Sequence, residues 1–215
     1  MYIPGFFKEN DVEAALNFMK KNPLAALVAV QNELPVASHL VLDLQVHNGS
    51  LLASGHMAKS NPLWKSFSTD PEKDLPNTKK VLLIFSGPNT YISPRWYNHT
   101  NVPTWNYIAV HAYGVPSVIS SKSDLDMMMD SLISEHEKMS GYSFHGIPGE
   151  FRDKQMEGLV GFQIRIDRLE ASYKLSQNRN DEDYQNIIKE LELQTDQNSH
   201  EIAFEMRKKR KNSLK

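Results

Sequence analysis

Short apolar or alternating runs, separated by turn-forming residues at hairpin spacing, are what most constrain this chain. LAALVAV (24–30) is followed by the turn-like QNELP and then by VASHLVLDLQV (36–46). HNGS is a second turn signal, and LLAS follows it. An apolar run, a turn of Asn, Gly or Pro, and a return run predict consecutive antiparallel strands. VLLIFSG (81–87) and YISPRWY (91–97) predict a fourth and a fifth strand. WNYIAVHAYGVPSVIS (105–120) predicts a long sixth, bent near Gly114-Val115-Pro116. LVGFQIRIDRLEASYKLS (159–176) alternates again and predicts a final strand or hairpin. Six or seven short strands at this spacing predict a small closed barrel with peripheral helices. Side chains fill the interior of so small a barrel, so a ligand has to sit on its outside or at a seam between copies.

The helices show as breaks in this pattern. Asn10 or Asp11 can cap a helix carrying Val12, Ala15, Leu16 and Met19, which Pro23 ends. Leu125, Met128, Met129, Leu132 and Ile133 give 123–140 a helical period. YSFHGIPGEF (142–151) reads as a loop. Tyr184, Ile187, Ile188 and Leu191 mark an amphipathic helix between Asp181 and Leu193. SFSTDPEKDLPNTKK (66–80) is polar and reads as a loop, and the terminal RKKRKNSLK reads as solvated. This divides the chain into a main domain, 1–193, and a basic, helical C-terminal tail, 194–215.

Composition excludes several chemistries. The chain has 215 residues and no cysteine, which removes disulfides, thiolate metal sites and cysteine nucleophiles. No HxxxH or HExxH spacing points to a metal, so no metal is expected. A formal charge of -2 gives no global attraction to nucleic acid or to an anionic membrane. No apolar run reaches the roughly 18 residues of a membrane span, and MYIPGFFKEND lacks the pattern of a signal peptide. The expected location is the cytoplasm. Asp124, Asp126, Asp130, Glu135 and Glu137 make the helix at 123–140 acidic, and no DNA-reading motif is recognisable.

One stretch stands out chemically. SGHMAKSNPLW (54–64) places Ser54, Gly55, His56, Lys59, Ser60 and Asn61 directly after an apolar run. Together with MYIP, ASHLVL (37–42), FSGPNTYISPRWY (85–97), VPTWNYIAVHAYG (102–114) and YKLSQNR (173–179), it resembles the PaiB-type FMN-binding negative transcriptional regulators. The likeness runs from Met1 to about Leu193. It implies an FMN-binding split barrel of the kind shared with pyridoxamine 5′-phosphate oxidases, a homodimer, and FMN at the subunit interface.

In that fold the flavin lies against two neighbouring strands and the turn after the second. The position where the first strand commonly supplies an arginine to the phosphate falls near Ser38 and His39, which is a departure from the pattern. The second strand and its turn correspond to Ala53 through Asn61. A dianionic phosphate needs a cation and several donors. Ser54, Lys59, Ser60 and the amides around Gly55 can supply them, with Lys59 the main cation. His39 and His56 can donate to the ring or its carbonyls. Trp105 can stack on the ring, and Thr104 and Asn106 can meet its polar edge. Lys174, Ser176, Gln177 and Asn178 form the expected lip of the site, reaching across a dimer. Three functions stay open: a flavin-sensing regulator that binds DNA, a flavin-dependent oxidoreductase, and a haem-binding or haem-degrading relative with a histidine ligand.

Overall fold

The computed structural model describes residues 1–69 and 79–213. In chain order the regular elements are β1 (Lys8–Glu9), α1 (Val12–Lys21), β2 (Leu24–Gln31), β3 (Leu34–Val41), β4 (Asp43–His47), β5 (Ser50–Ala58), β6 (Val81–Ile92), β7 (Thr104–Val118), α2 (Lys122–His136), α3 (Gly149–Met156), β8 (Leu159–Lys174), α4 (Asp181–Glu192) and α5 (Gln197–Ser213). The strands pair in the order β3-β2-β6-β7-β8-β5-β4, with β1 added to β8. The fold is a mainly antiparallel sheet with peripheral helices, of the split-barrel class.

The chain divides into two compact units: Met19–Phe85 with His111–Leu169, and Met1–Phe18 with Ser86–Val110 and Glu170–Lys215. In the first, β2 and β3 form a hairpin in which Gln31 pairs with Leu34. Asn32 and Glu33 both have positive φ, 48° and 64°, the geometry of a two-residue turn whose twist suits the strands. Asn48 and Gly49 do the same between β4 and β5. Leu27, Leu83, Ala53, Phe162 and Ile164 fill the interior. Met128, Met129, Phe144 and Met156 make a satellite core where α2 and α3 meet, with Leu125 and Leu159 packed against it.

The expected strand 36–46 is two strands. The chain turns at Leu42, whose N–H reaches back to Pro23 O at 3.0 Å and whose side chain is buried. Gly55 makes that corner possible: a Cβ there would lie 2.9 Å from Leu42 Cδ2 and 3.0 Å from Val41 O. The loop expected at 142–151 holds a short 3-10 turn, Phe144–Gly146, and the start of α3. Of the loop expected at 66–80, residues 70–78 lie outside the described residues.

The expected strands 81–87 and 91–97 merge. β6 runs through Gly87 and Pro88, and Pro94–Trp96 is a 3-10 turn. Gly87 leaves room for the Phe18 ring, which a Cβ would approach to 2.4 Å. α4 is capped by the Asn180 side chain, which accepts from Asp183 N at 2.8 Å. It buries Tyr184, Ile187, Ile188 and Leu191, each contributing about 1.5–3 kcal/mol of apolar burial. α5 buries Ile202, Ala203 and Met206. The basic run read as solvated lies in this helix, with Arg207 on Glu192 at 2.7 Å, Lys209 on Glu9 and Arg210 on Asp181.

Candidate functional site

The candidates from the first unit separate by strand parity. Along β5, Ala53, Gly55 and Met57 point inward, and Ser54 and His56 point the other way. Gly55 owes its missing side chain to Leu42, Val41 O and the Phe162 ring rather than to open space for a ligand. His56 pairs with Gly161 on β8, so both project from the same face. A Cβ on Gly161 would meet Leu125 and Met128, so α2 covers that face. His56 is half-buried there, its Nδ1 has no hydrogen-bond partner among the described residues, and burial pushes the imidazole below its usual range. Ser54 pairs with Asp43 and Gln163 on the same face.

The turn after β5 is built differently. Lys59 and Ser60 are exposed. The turn is pinned from three sides: Lys59 N donates to Gly158 O at 2.9 Å, Trp64 Nε1 donates to Lys59 O at 3.1 Å, and Asn61 N donates to Ala58 O at 2.9 Å. Asn61 caps a 3-10 turn, Pro62–Ser66, through its Oδ1 on Leu63 N at 3.0 Å. Its Nδ2 donates to Ser38 Oγ at 2.8 Å, which joins this turn to β3. Gln31 Nε2 adds a contact from β2 to Pro62 O at 3.3 Å. The five-residue 3-10 turn is too short for a macrodipole, and its own cap uses a terminal N–H. Ser38 therefore joins Asn61 and the Lys59 turn. His39, next in sequence, lies on the opposite, exposed face of β3, where it pairs with Ala26.

The second unit holds the remaining candidates. Lys174 Nζ donates to Thr104 Oγ1 at 2.6 Å, and burial together with Arg179 lowers the lysine from its usual range. Trp105 is half exposed and meets Tyr91 edge to face at 6.2 Å. Ser176 is buried with φ of 60° and donates to Asn106 Oδ1 at 3.1 Å. Gln177 is spent on its own turn: Oε1 accepts from Leu175 N at 2.8 Å, and Nε2 donates to Tyr173 O. Asn178 is exposed.

Sequence reasoning missed one cluster in this unit. Asp183 has no exposed side-chain surface. Its Oδ1 accepts from Asn98 N at 2.9 Å, and its Oδ2 accepts from Asn180 Nδ2 at 2.9 Å and faces His99 Nδ1 at 3.3 Å. The guanidinium of Arg179 lies over the Tyr97 ring at 4.9 Å. This carboxylate holds the segment that leads into Thr104 and Trp105. The signal was present in the Asn180 cap and the acidic opening of α4, but nothing marks which of three acidic residues turns inward.

Among the described residues no group of three or more metal-ligating side chains converges. Nor is any helix long and apolar enough to cross a membrane. The stretch 53–64 contains no Asp or Glu, and Lys59 has no ion pair among the described residues. Its donor chemistry therefore fits a phosphate-bearing ligand at the Lys59 turn.

An antiparallel split barrel with such a turn after an inner strand defines a flavoprotein-type fold, and comparison with known proteins agrees. A family model described as "Putative FMN-binding domain" matches residues 1–168. The chain belongs to this family, the PaiB-type FMN-binding proteins. It is 34% identical, over the full length of both chains, to "Protease synthase and sporulation protein PAI 2" of Bacillus subtilis (strain 168). Among solved structures, the flavocytochrome Anf3 of Azotobacter vinelandii aligns at a TM-score of 0.56 and 16% identity, covering 84% of this chain and 75% of that one. An FAD- and haem-binding protein of Mycobacterium smegmatis aligns at 0.56 and 13%, covering 82% and 78%. At such identities these two likenesses bear on the fold alone.

Proposed function

We propose that the protein is a homodimeric, cytoplasmic FMN-binding regulator of the PaiB type, with the flavin as a sensed ligand. The observation that carries the reading is the Lys59 turn: an exposed ammonium, without an ion pair among the described residues, and a hydroxyl on a backbone fixed from Gly158 just before β8, from β3 and from its own 3-10 turn. A rigid turn loses little entropy when an anion settles on it. Lys59 and Ser60 would take the phosphate, with Asn61 and Ser38 holding the turn in place. When bound, the cofactor supplies a redox-active ring. The outward face of β2 and β3 carries the small or apolar side chains of Ala26, Val28 and Ala37 beside His39. Leu24, Val30 and Val41 extend it into solvent. We assign this face to the second copy, because an exposed apolar patch of this kind favours association. DNA is the proposed target of the dimer.

The test is the visible spectrum of the purified protein after incubation with FMN and desalting, next to the same measurement on Lys59→Ala. Retained flavin in the wild type and an affinity roughly tenfold weaker in the variant support the site, since one charge-assisted contact is worth about 1.5 kcal/mol. Equal affinity in both proteins refutes the assignment of Lys59. Bleaching by NAD(P)H with re-oxidation by a substrate favours the oxidoreductase. A mobility shift of DNA that weakens as salt rises favours the regulator.

A further inference from the structure

In the second unit a tight turn brings two cations together. Lys174 ends β8, and Arg179 directly precedes the Asn180 cap of α4. Between them Ser176 has a φ of 60°, a left-handed conformation that residues with side chains rarely adopt. Three bonds hold it there. Ser176 Oγ donates to Asn106 Oδ1 at 3.1 Å, Gln177 Oε1 accepts from Leu175 N at 2.8 Å, and Arg179 N donates to Ser176 O at 3.0 Å. Strained backbone that its surroundings enforce in this way is a recurrent property of ligand sites.

The two charges are not neutralised. Lys174 and Arg179 are both partly exposed, and neither has an ion pair among the described residues. Burial and the Arg179 charge both lower Lys174 from its usual range. The acidic opening of α4 is turned to other partners. Asp181 is held by Arg210, and Glu182 accepts from Asn98 Nδ2 at 2.6 Å. Asp183 has no exposed surface and accepts from Asn98 N and Asn180 Nδ2. The donors beside the two cations are set as well. Lys174 Nζ spends one N–H on Thr104 Oγ1 at 2.6 Å, which leaves the Thr104 proton to donate. The Arg179 guanidinium lies over the Tyr97 ring at 4.9 Å, which sets its plane. Trp105 is on the other face of β7, so the Phe7 ring, 5.9 Å from Lys174 Nζ, is the aromatic neighbour of the lysine.

We infer that Lys174, Arg179 and Thr104 form a binding site for a phosphate monoester. Two positive charges match a phosphate dianion. The guanidinium fork can take two of its oxygens, and the ammonium and the hydroxyl can share the third. A carboxylate carries half that charge and offers only two oxygens. The site shares no residue with the Lys59 turn and stands whether or not that turn holds flavin. Lys174 and Arg179 also lie beyond residue 168, where the family match ends. The same chemistry is offered by the phosphate of FMN and by a smaller ester.

The experiment is phosphorus NMR of methyl phosphate titrated with the full-length protein at a pH of about 7.5, where the ester is mostly dianionic. Lys174→Met keeps the apolar stem and Arg179→Gln keeps a polar head, so two variants test the site independently. The expected result is saturable broadening in the wild type and an affinity roughly tenfold weaker in each folded variant. No saturation up to about 20 mM overturns the site. Saturation that both variants leave untouched overturns its location. Acetate that displaces methyl phosphate at equal concentration overturns the preference for a dianion. FMN retention by the same variants then identifies the source. A loss that parallels methyl phosphate assigns the flavin's own phosphate to this pair, and unchanged retention assigns a separate ester.

Discussion

Replacing Asp183 with Ala should cost more stability than any other single carboxylate removal in the second unit. The side chain has no exposed surface and accepts from Asn98 N and Asn180 Nδ2, each at 2.9 Å, with His99 Nδ1 at 3.3 Å. Hydrogen bonds to such a group contribute about 1.5–3 kcal/mol each, and a buried donor left without an acceptor costs about 1–3 kcal/mol. The terms overlap, so the expected loss is about 3–5 kcal/mol. Asp183→Asn should fall between, at about 1–3 kcal/mol, because one oxygen survives for Asn98 N but an amide then faces the Asn180 amide. Glu182→Ala is the control: Glu182 accepts from exposed Asn98 Nδ2 at 2.6 Å, and its loss should cost less than about 1 kcal/mol. Urea unfolding at neutral pH, read as midpoint shifts at constant m, measures all three. An Asp183→Ala midpoint equal to that of Glu182→Ala would refute the idea that this carboxylate holds the segment before Thr104 and Trp105.

Two further outcomes follow from buried positions. Burial lowers the His56 pKa below its usual 6.5, so the fold prefers the neutral ring. Its contribution is present above the unfolded pKa and is lost as pH falls toward the folded one, so the urea midpoint should drop less between pH of about 7.5 and 5.5 in His56→Leu than in the wild type. Parallel curves for the two proteins would remove His56 from the pH response. Gly114→Ala should destabilise by about 2–3 kcal/mol, because its Cβ would sit 2.4 Å from Arg165 O, a backbone atom with nowhere to go. Gly149→Ala, with nothing within 4 Å of its Cβ, is the neutral comparison.

Hairpins were legible because their turns announce themselves: Asn-Gly at 48–49 and the Asn32 turn need positive φ, which few residues tolerate. α1 and α4 were legible from caps and period. Elsewhere local signals misled. Gly87 and Pro88 look like a turn, but the glycine answers a tertiary demand, the Phe18 ring. The break at Leu42 has no turn residue at all, because the corner is allowed by Gly55 on another strand. α3, GEFRDKQM, is polar and short and buries little beyond Met156, so periodicity does not find it. In the candidate site, sequence brought Ser38, Lys59, Ser60 and Asn61 together, and Asn61 does bond Ser38. It could not separate Ser54 and His56 from them, since that depends on which face α2 covers.

Gly55 decides between two readings of the flavin stretch. If the glycine is there to bring backbone close to a phosphate, Gly55→Ala should weaken FMN and leave folding intact. The packing around it argues the reverse. A Cβ would lie 2.9 Å from Leu42 Cδ2, 3.0 Å from Val41 O and 3.2 Å from Phe162 Cζ, all interior contacts. The leucine end can give way, but the Val41 carbonyl sits at the strand corner and can shift only with the backbone. The expected cost is about 1–2 kcal/mol of stability, with flavin affinity of the folded variant within about twofold of wild type. Folded Gly55→Ala with unchanged stability and lost flavin would overturn this, and would move the phosphate from the Lys59 turn to the strand itself.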